Sequence, residues 1–198
     1  MLSPLFPAVD ERVPLPAQGA AGHVSAADPG RYREMVGAHF DAVWRTLRGL
    51  GVPPGSVDDA AQQVFLVALR RLDTIVPGSE RAFLLGTAVG IASNARRSVA
   101  RAREVADPDA FAGGVDPGPD PEEAALLSER RALVQQILDR MPEELRTVFV
   151  LFELEGLTSI EIGTMLEIPT GTATSRLRRA REHFQSEVKR RLAGGRAR

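Results

Sequence analysis

The sequence predicts an all-α protein of two small helical domains joined by a flexible linker. Three observations carry that expectation. Apolar residues recur at three- and four-residue spacing in every structured stretch, and no strand pattern of alternating apolar and polar residues stands out. A Pro/Gly-rich segment then splits the chain near its middle. With 198 residues, 43% of them apolar, the chain can supply cores of ordinary size.

The elements follow in order. Residues 1–30 hold Pro4, Pro7, Pro14, Pro16 and Pro29 among scattered Gly and Ala, with no period, and read as a disordered tail. A first domain is expected over 31–104. Its first helix shows Tyr32, Met35, Val36, His39, Phe40, Val43, Trp44 and Leu47 on one face, which assigns Trp44 to the core. Pro53, Pro54 and Gly55 break it, and Ser56 is placed to cap a second helix with Val57, Ala60, Ala61, Val64, Phe65, Leu69 and Leu72 inward. After Pro77-Gly78 a third helix runs from Glu80 to Arg103, with Phe83, Leu84, Ala88, Ile91, Ala92, Ala95 and Val99 apolar. The stretch DPDAFAGGVDPGPDP cannot hold a helix, because Pro removes donors and Gly costs backbone entropy, so 105–121 is read as a linker. The second domain is expected over 122–193, followed by a basic tail at 194–198. Its helices are predicted from Pro121 to Arg140, from a first-turn Pro142 to Gly156, from Thr158 to Leu166, and from Gly171 to Ala193. The run VFVLF at 148–152 mimics a strand, but the flanking glutamates argue for a helix.

Formal net charge is −1, which hides an uneven distribution. Residues 120–170 carry 11 acids against 4 basic residues, whereas 171–198 carry 9 basic residues against 2 acids. From Arg81 to Arg103 there are five arginines and no acid. Basic stripes suit phosphate, because each neutralised phosphate releases counterions; the plain alternative is a pair of solvated helix faces. Only Lys189 among the 25 basic residues is lysine, a bias that an Ala-, Gly- and Pro-rich composition also accounts for. The absence of cysteine excludes disulfides, thiolate catalysis and Cys-based zinc sites. His23, His39 and His183 are too dispersed for a metal site, and Gly113-Gly114 follows no strand, so no metal, cofactor or nucleotide loop is expected. No apolar run reaches membrane-spanning length and no secretion signal is apparent at the N-terminus, which predicts a cytoplasmic protein.

The segment TSIEIGTMLEIPTGTATSRLRRARE, starting at Thr158, has the layout of a helix-turn-helix. Gly163 lets two helices approach, and Ile160, Leu166, Ile168 and Leu177 are expected as apolar anchors. The second helix could then lie in a major groove, offering Thr170, Gly171, Thr172, Thr174, Ser175 and Arg176 near its start and Arg178, Arg179 and Arg181 beyond. Arginine can contact guanine bidentately, and hydroxyls suit phosphates or several bases. The plain alternative is an ordinary helix pair with a basic outer face.

Here the chain resembles a known family. The stretch LDRMPEELRTVFVLFELEGLTSIEIGTMLEIPTGTATSRLRRARE is similar to the C-terminal domain of extracytoplasmic-function (ECF) sigma factors. Gly171, Thr172, Ser175, Arg176, Arg179, Ala180 and Arg181 match that family's Gly-Thr-x-x-Ser-Arg-x-x-Arg-Ala-Arg ending. The block SVDDAAQQVFLVALRRL resembles the helix by which such factors hold the polymerase clamp, the match falling on Asp59, Gln62, Val64 and Phe65, with Asp58 at a position where an acid is usual. The block ERAFLLGTAVGIASNARR resembles the helix that reads the minus-ten element, at Arg81, Phe83, Leu84, Thr87, Ala88, Gly90, Asn94 and Arg97. Phe83 stands where the family tends to have Trp, Gly90 for a frequent Asn, Asn94 for a frequent Asp, Glu167 for a turn glycine, and Thr174 for Lys or Arg.

The resemblance implies a region 2-like three-helix domain and a region 4-like helix-turn-helix domain. It implies docking of Asp58, Asp59, Gln62 and Phe65 on the clamp helices of the polymerase largest subunit, and a further contact at the flap region. Phe83, Gly90 and Asn94 would sit at the minus-ten strand, with Arg81, Arg96, Arg97 and Arg101 on its phosphates. The recognition helix would hold the minus-thirty-five element. Promoter DNA, core RNA polymerase and an anti-sigma factor are the implied partners, with no small-molecule substrate and no catalysis on this chain. Three alternatives stay open: a plain DNA-binding regulator, a degenerate sigma-like protein acting only through protein contacts, and an enzyme.

Overall fold

The computed structural model describes residues 28–103 and 121–195. The predicted tail before residue 28, the linker at 104–120 and residues 196–198 lie outside the described residues. Among the described residues there is no strand, and the all-α expectation holds.

The first unit has three helices: α1 (Pro29–Gly49), α2 (Val57–Arg70) and α3 (Glu80–Arg103). Helix α1 starts earlier than expected. The Asp28 carboxylate accepts from Gly30 N at 2.9 Å, and Pro29 occupies a first-turn position where its missing N–H is harmless. Residues 28–30 therefore belong to the helical unit, not to the tail. Ser56 sits at the start of α2 but makes no side-chain cap, contrary to expectation; a 3-10 turn over Pro54–Ser56 leads into the helix instead. Asp58 and Asp59 lie in the first turn of α2, where they favour the helix dipole. The turn before α3 is built by Gly78, at φ 87°, whose N–H donates to Glu80 at 2.6 Å. Arg31 binds the same carboxylate at 2.9 Å and donates to the carbonyls of Leu72 and Ile75. That Arg31 contact leads the causes that hold the Glu80 carboxyl below its ordinary range.

The second unit comprises α4 (Pro121–Arg140), α5 (Glu143–Phe149), α6 (Ser159–Met165) and α7 (Thr170–Gly195). Pro142 stands at the cap just before α5, not inside its first turn. The VFVLF run is helical as expected: α5 passes into one π turn over Val150–Leu154, and Gly156, at φ 68°, ends it. Thr158 and Glu161 form a reciprocal capping box at the start of α6.

The two units share their interior. One hydrophobic cluster joins Val43, Leu47, Leu50 and Leu84 of the first unit to Leu138, Met141, Phe149 and Val150 of the second. The other places Leu85 of α3 among Val148, Leu151, Ile162 and Leu177. Gly49 makes the approach possible, since a Cβ there would stand 3.0 Å from Val150 and 3.2 Å from Leu154. Buried Arg146 donates to Leu50 O across the boundary and to Asp139 O and Met141 O within its own unit.

Three sequence assignments fail at the surface, the first being Phe40, 41% exposed although it shares the apolar face expected of α1. Trp44 is 37% exposed, with its indole N–H donating to Asp58 Oδ1 at 2.9 Å, so it is not a core residue. Ile160 is 67% exposed and anchors nothing within the helix-turn-helix. Its place is taken by Ile162, fully buried two residues on.

Candidate nucleic-acid interface

The helix-turn-helix forms as the sequence anticipated. The Thr158 N–H donates to Glu161 Oε2 at 2.7 Å, and Glu161 N donates back to the Thr158 hydroxyl at 3.3 Å. The contacts from Thr158 hold the Glu161 carboxyl below its ordinary range, the backbone N–H contributing most. A Cβ on Gly163 would meet Ile168 O at 3.0 Å and Thr170 Cα at 3.4 Å, so a small residue is what seats α6 against the turn. Glu167, in that turn, has φ 54°, the left-handed conformation that glycine adopts without strain.

On α7, Ala173, Leu177 and Ala180 are buried, which turns Thr170, Gly171, Thr174, Arg178, Arg179 and Arg181 to solvent. Thr172, Ser175 and Arg176 are half-buried. Two hydroxyls are already in use: Thr174 donates to Thr170 O and Ser175 to Thr172 O, both at 3.0 Å. Arg176 pairs with Glu144 at 3.5 Å, and Arg178 with Glu182 at 2.8 Å. Arg181 binds Glu153 at 2.7 Å and lies over the Phe152 ring. Arg179 makes no ion pair among the described residues.

Helix α3 splits its candidates between two faces. Gly90, Asn94 and Arg97 follow one another at helical spacing on an open side: a Cβ on Gly90 would touch nothing within 4 Å, and Arg97 donates to Asn94 Oδ1 at 2.8 Å. Phe83, partly buried against the core, stands on the same side two turns before Gly90. Arg81, Leu85, Val89 and Arg96 line a different stripe, turned to the second unit. Arg81 Nη2 reaches Glu155 O at 2.6 Å and Glu155 Oε2 at 3.0 Å, while Arg96 pairs with Glu143 at 3.2 Å. Arg101 lies in α3, but its side chain is outside the described residues.

The α1–α2 face carries the predicted docking residues. Asp58, Asp59 and Gln62 are exposed. Phe65 is 4% exposed and stacks on Phe40 at 6.1 Å between centroids, so it supports this face from within and presents nothing to a partner. Sequence reasoning missed Trp44 and Phe40 here, because both share a helical period with true core positions.

The comparisons bear on what these faces do. A family model described as "Sigma-70, region 4" matches residues 131–184. The ECF RNA polymerase sigma-E factor of Escherichia coli (strain K12) is 34% identical over 145 residues, spanning 69% of this chain and 76% of that protein. The chain belongs to the ECF sigma factors. A second ECF relative, the sigma factor SigE of Mycolicibacterium smegmatis, is 30% identical over 152 residues, covering 77% of this chain and 59% of that protein. Among solved structures, the sigma factor RpoE from Bartonella quintana, in complex with the anti-sigma factor NepR, covers 80% of this chain and 97% of its own, with TM-score 0.61 at 20% identity. CnrH, in complex with the cytosolic domain of CnrY, matches with TM-score 0.59 at 22% identity, covering 80% and 87%. These two share the fold of this ECF sigma factor. The function of the chain is that of a sigma factor of RNA polymerase, in promoter recognition and transcription initiation. No described helix is long and apolar enough to cross a membrane.

Proposed function

We propose that the unit at 31–104 docks on core polymerase and takes the minus-ten element, and that the unit at 122–193 takes the minus-thirty-five element, with 105–121 linking them. The observation that carries this reading is the exposed run of Thr170, Gly171, Thr174, Arg178, Arg179 and Arg181 along α7, within a chain whose region 4 match spans 131–184. Thr172, Ser175 and Arg176, lying at the edge of that run, would position it on the backbone.

In the first unit, Asp58, Asp59 and Gln62 present the docking face to the clamp helices. Trp44 belongs to it, since its indole fixes the Asp58 carboxylate and leaves ring surface open beside it. Phe83, Gly90, Asn94 and Arg97 form the minus-ten side, with the unfilled space over Gly90 suited to a flipped base. Arg81, Arg96 and Arg101 supply phosphate contacts. Binding at both ends favours melted DNA between them, so the chain acts without catalysis, cofactor or small-molecule substrate, in the cytoplasm. A second polymerase contact at the flap region and an anti-sigma partner, of the class named in the Bartonella complex, complete the reading.

The test is transcription with core polymerase from a related bacterium on fragmented genomic DNA, with starts mapped. Starts sharing two spaced motifs are expected, falling about tenfold or more with Arg178→Ala combined with Arg179→Ala. Core binding without transcripts supports the degenerate sigma-like alternative, and no core binding supports the plain regulator.

A further inference from the structure

The geometry points to an autoinhibitory latch in the free chain: Glu155 of the second unit, clasped by Arg45 and Arg81 of the first, holds the two DNA-binding halves closed against each other. This rests on the sigma-factor reading and adds a mode of regulation to it.

The Glu155 side chain is completely buried, whereas those of Arg45 and Arg81 are 52% and 42% exposed. Arg45 Nε meets Oε1 at 3.2 Å, and Arg81 takes Oε2 together with the main-chain carbonyl of Glu155. That carbonyl lies at the negative end of the helical turn that Gly156 terminates, so Arg81 also serves as its cap. A carboxylate buried without a partner is strongly unfavourable. Glu155 therefore has two tolerable states, clasped in the closed form or hydrated in an open one, and the requirement makes the contact two-state.

The latch occupies groups that DNA needs. Arg81 and Arg96, two of the phosphate contacts proposed for α3, are held by Glu155 and Glu143. Leu85, on the same stripe, is buried among second-unit residues.

Reach gives an independent argument. Elements centred near positions ten and thirty-five lie about 25 base pairs apart, about 85 Å along the duplex. A compact chain of this length has a radius of gyration of about 16 Å. Units that share hydrophobic clusters cannot grip both elements. Between Arg103 and Pro121 stand 17 residues, a reach of about 60 Å when extended, which lets separated units do so.

The chain has no cysteine, so donor and acceptor dyes can be placed cleanly at Asp41→Cys on α1 and Gln185→Cys on α7, both exposed. Energy transfer and binding to a duplex taken from a mapped promoter are read for the dye-labelled parent, for Glu155→Lys and for Arg45→Glu, with helicity checked by circular dichroism. The two variants change charge in opposite directions but both break the clasp. If the parent is open about a tenth of the time, each variant should lower energy transfer and tighten DNA binding about tenfold. Unchanged energy transfer in both variants, with DNA affinity rising in Glu155→Lys and falling in Arg45→Glu as charge alone dictates, overturns the latch. Core-dependent transcription by the parent tests the sigma reading separately. Transcription with unchanged energy transfer defeats the latch alone, whereas absent polymerase binding defeats the sigma reading and leaves the energy-transfer result to decide closure.

Discussion

Arg146 is 3% exposed, and its guanidinium pKa is lowered to about 10, first by burial and then by the nearby charge of Arg96. Its two Nη groups donate to the carbonyls of Leu50, Asp139 and Met141, while its buried Nε–H meets no acceptor among the described residues. Gly51, at φ 90°, leaves the room this requires, because a Cβ there would run into Arg146 Nη1. Arg146→Met should keep volume but leave three carbonyls without a donor, a loss of about 2–4 kcal/mol read as a fall in thermal midpoint. Glu167 makes the opposite case. Its φ of 54° is strained for a side chain, so Glu167→Gly should raise stability by about 0.5–1 kcal/mol in urea unfolding. An unchanged or lower midpoint would mean the Glu167 side chain contributes something that offsets its backbone strain. The Glu167 position was legible in the sequence, since a turn of this kind expects glycine. Arg146 was not, because one arginine in a helix carries no signal of burial.

Among elements, α6 depends on its cap and on Gly163. Gly163→Val would push branched carbons toward Ile168 O, already 3.0 Å from a Cβ alone. It should cost about 1–3 kcal/mol and abolish minus-thirty-five binding while core-polymerase binding survives. Loss of both would instead mean the two units cannot fold apart. The capping box adds a pH dependence. The Glu161 carboxyl is depressed in the folded state, so its contribution is present above the unfolded glutamate value, near 4.3, and is lost as pH falls through the lower folded value. Glu161→Gln should therefore lose stability at neutral pH and show a shallower decline on acidification than the parent, by circular dichroism. This helix-turn-helix was legible because its signals are local: a small residue, apolar anchors at helical spacing and a basic second helix; the Thr158–Glu161 capping box was not read from the sequence. Ile160 misled for the same reason, as its spacing fits an inward face that Ile162 in fact occupies.

Across the whole molecule, local periodicity stops being informative. Helix α3 buries Leu84, Ala88 and Ala92 in its own unit and Leu85 in the other. The sequence shows that second stripe only as arginines and apolar residues on a helix, which is also how a DNA-facing side reads. The closing of the two units was invisible for that reason, as was the partner of Arg81. It has a thermodynamic consequence. Units that share clusters lose contacts in both when either unfolds, so the parent should melt as one calorimetric transition. Leu85→Asp would put a carboxylate among Val148, Leu151 and Ile162, where the cation one turn away, Arg81, is already held by Glu155. The chain can avoid this cost without unfolding either unit, by separating them and hydrating the new side chain. Calorimetry should then resolve two transitions, each with lower enthalpy than the parent's single one. A parent that already melts in two steps would mean the shared clusters contribute little coupling. A single transition for Leu85→Asp at much lower temperature would mean that the second unit cannot stand without Leu85 in its core.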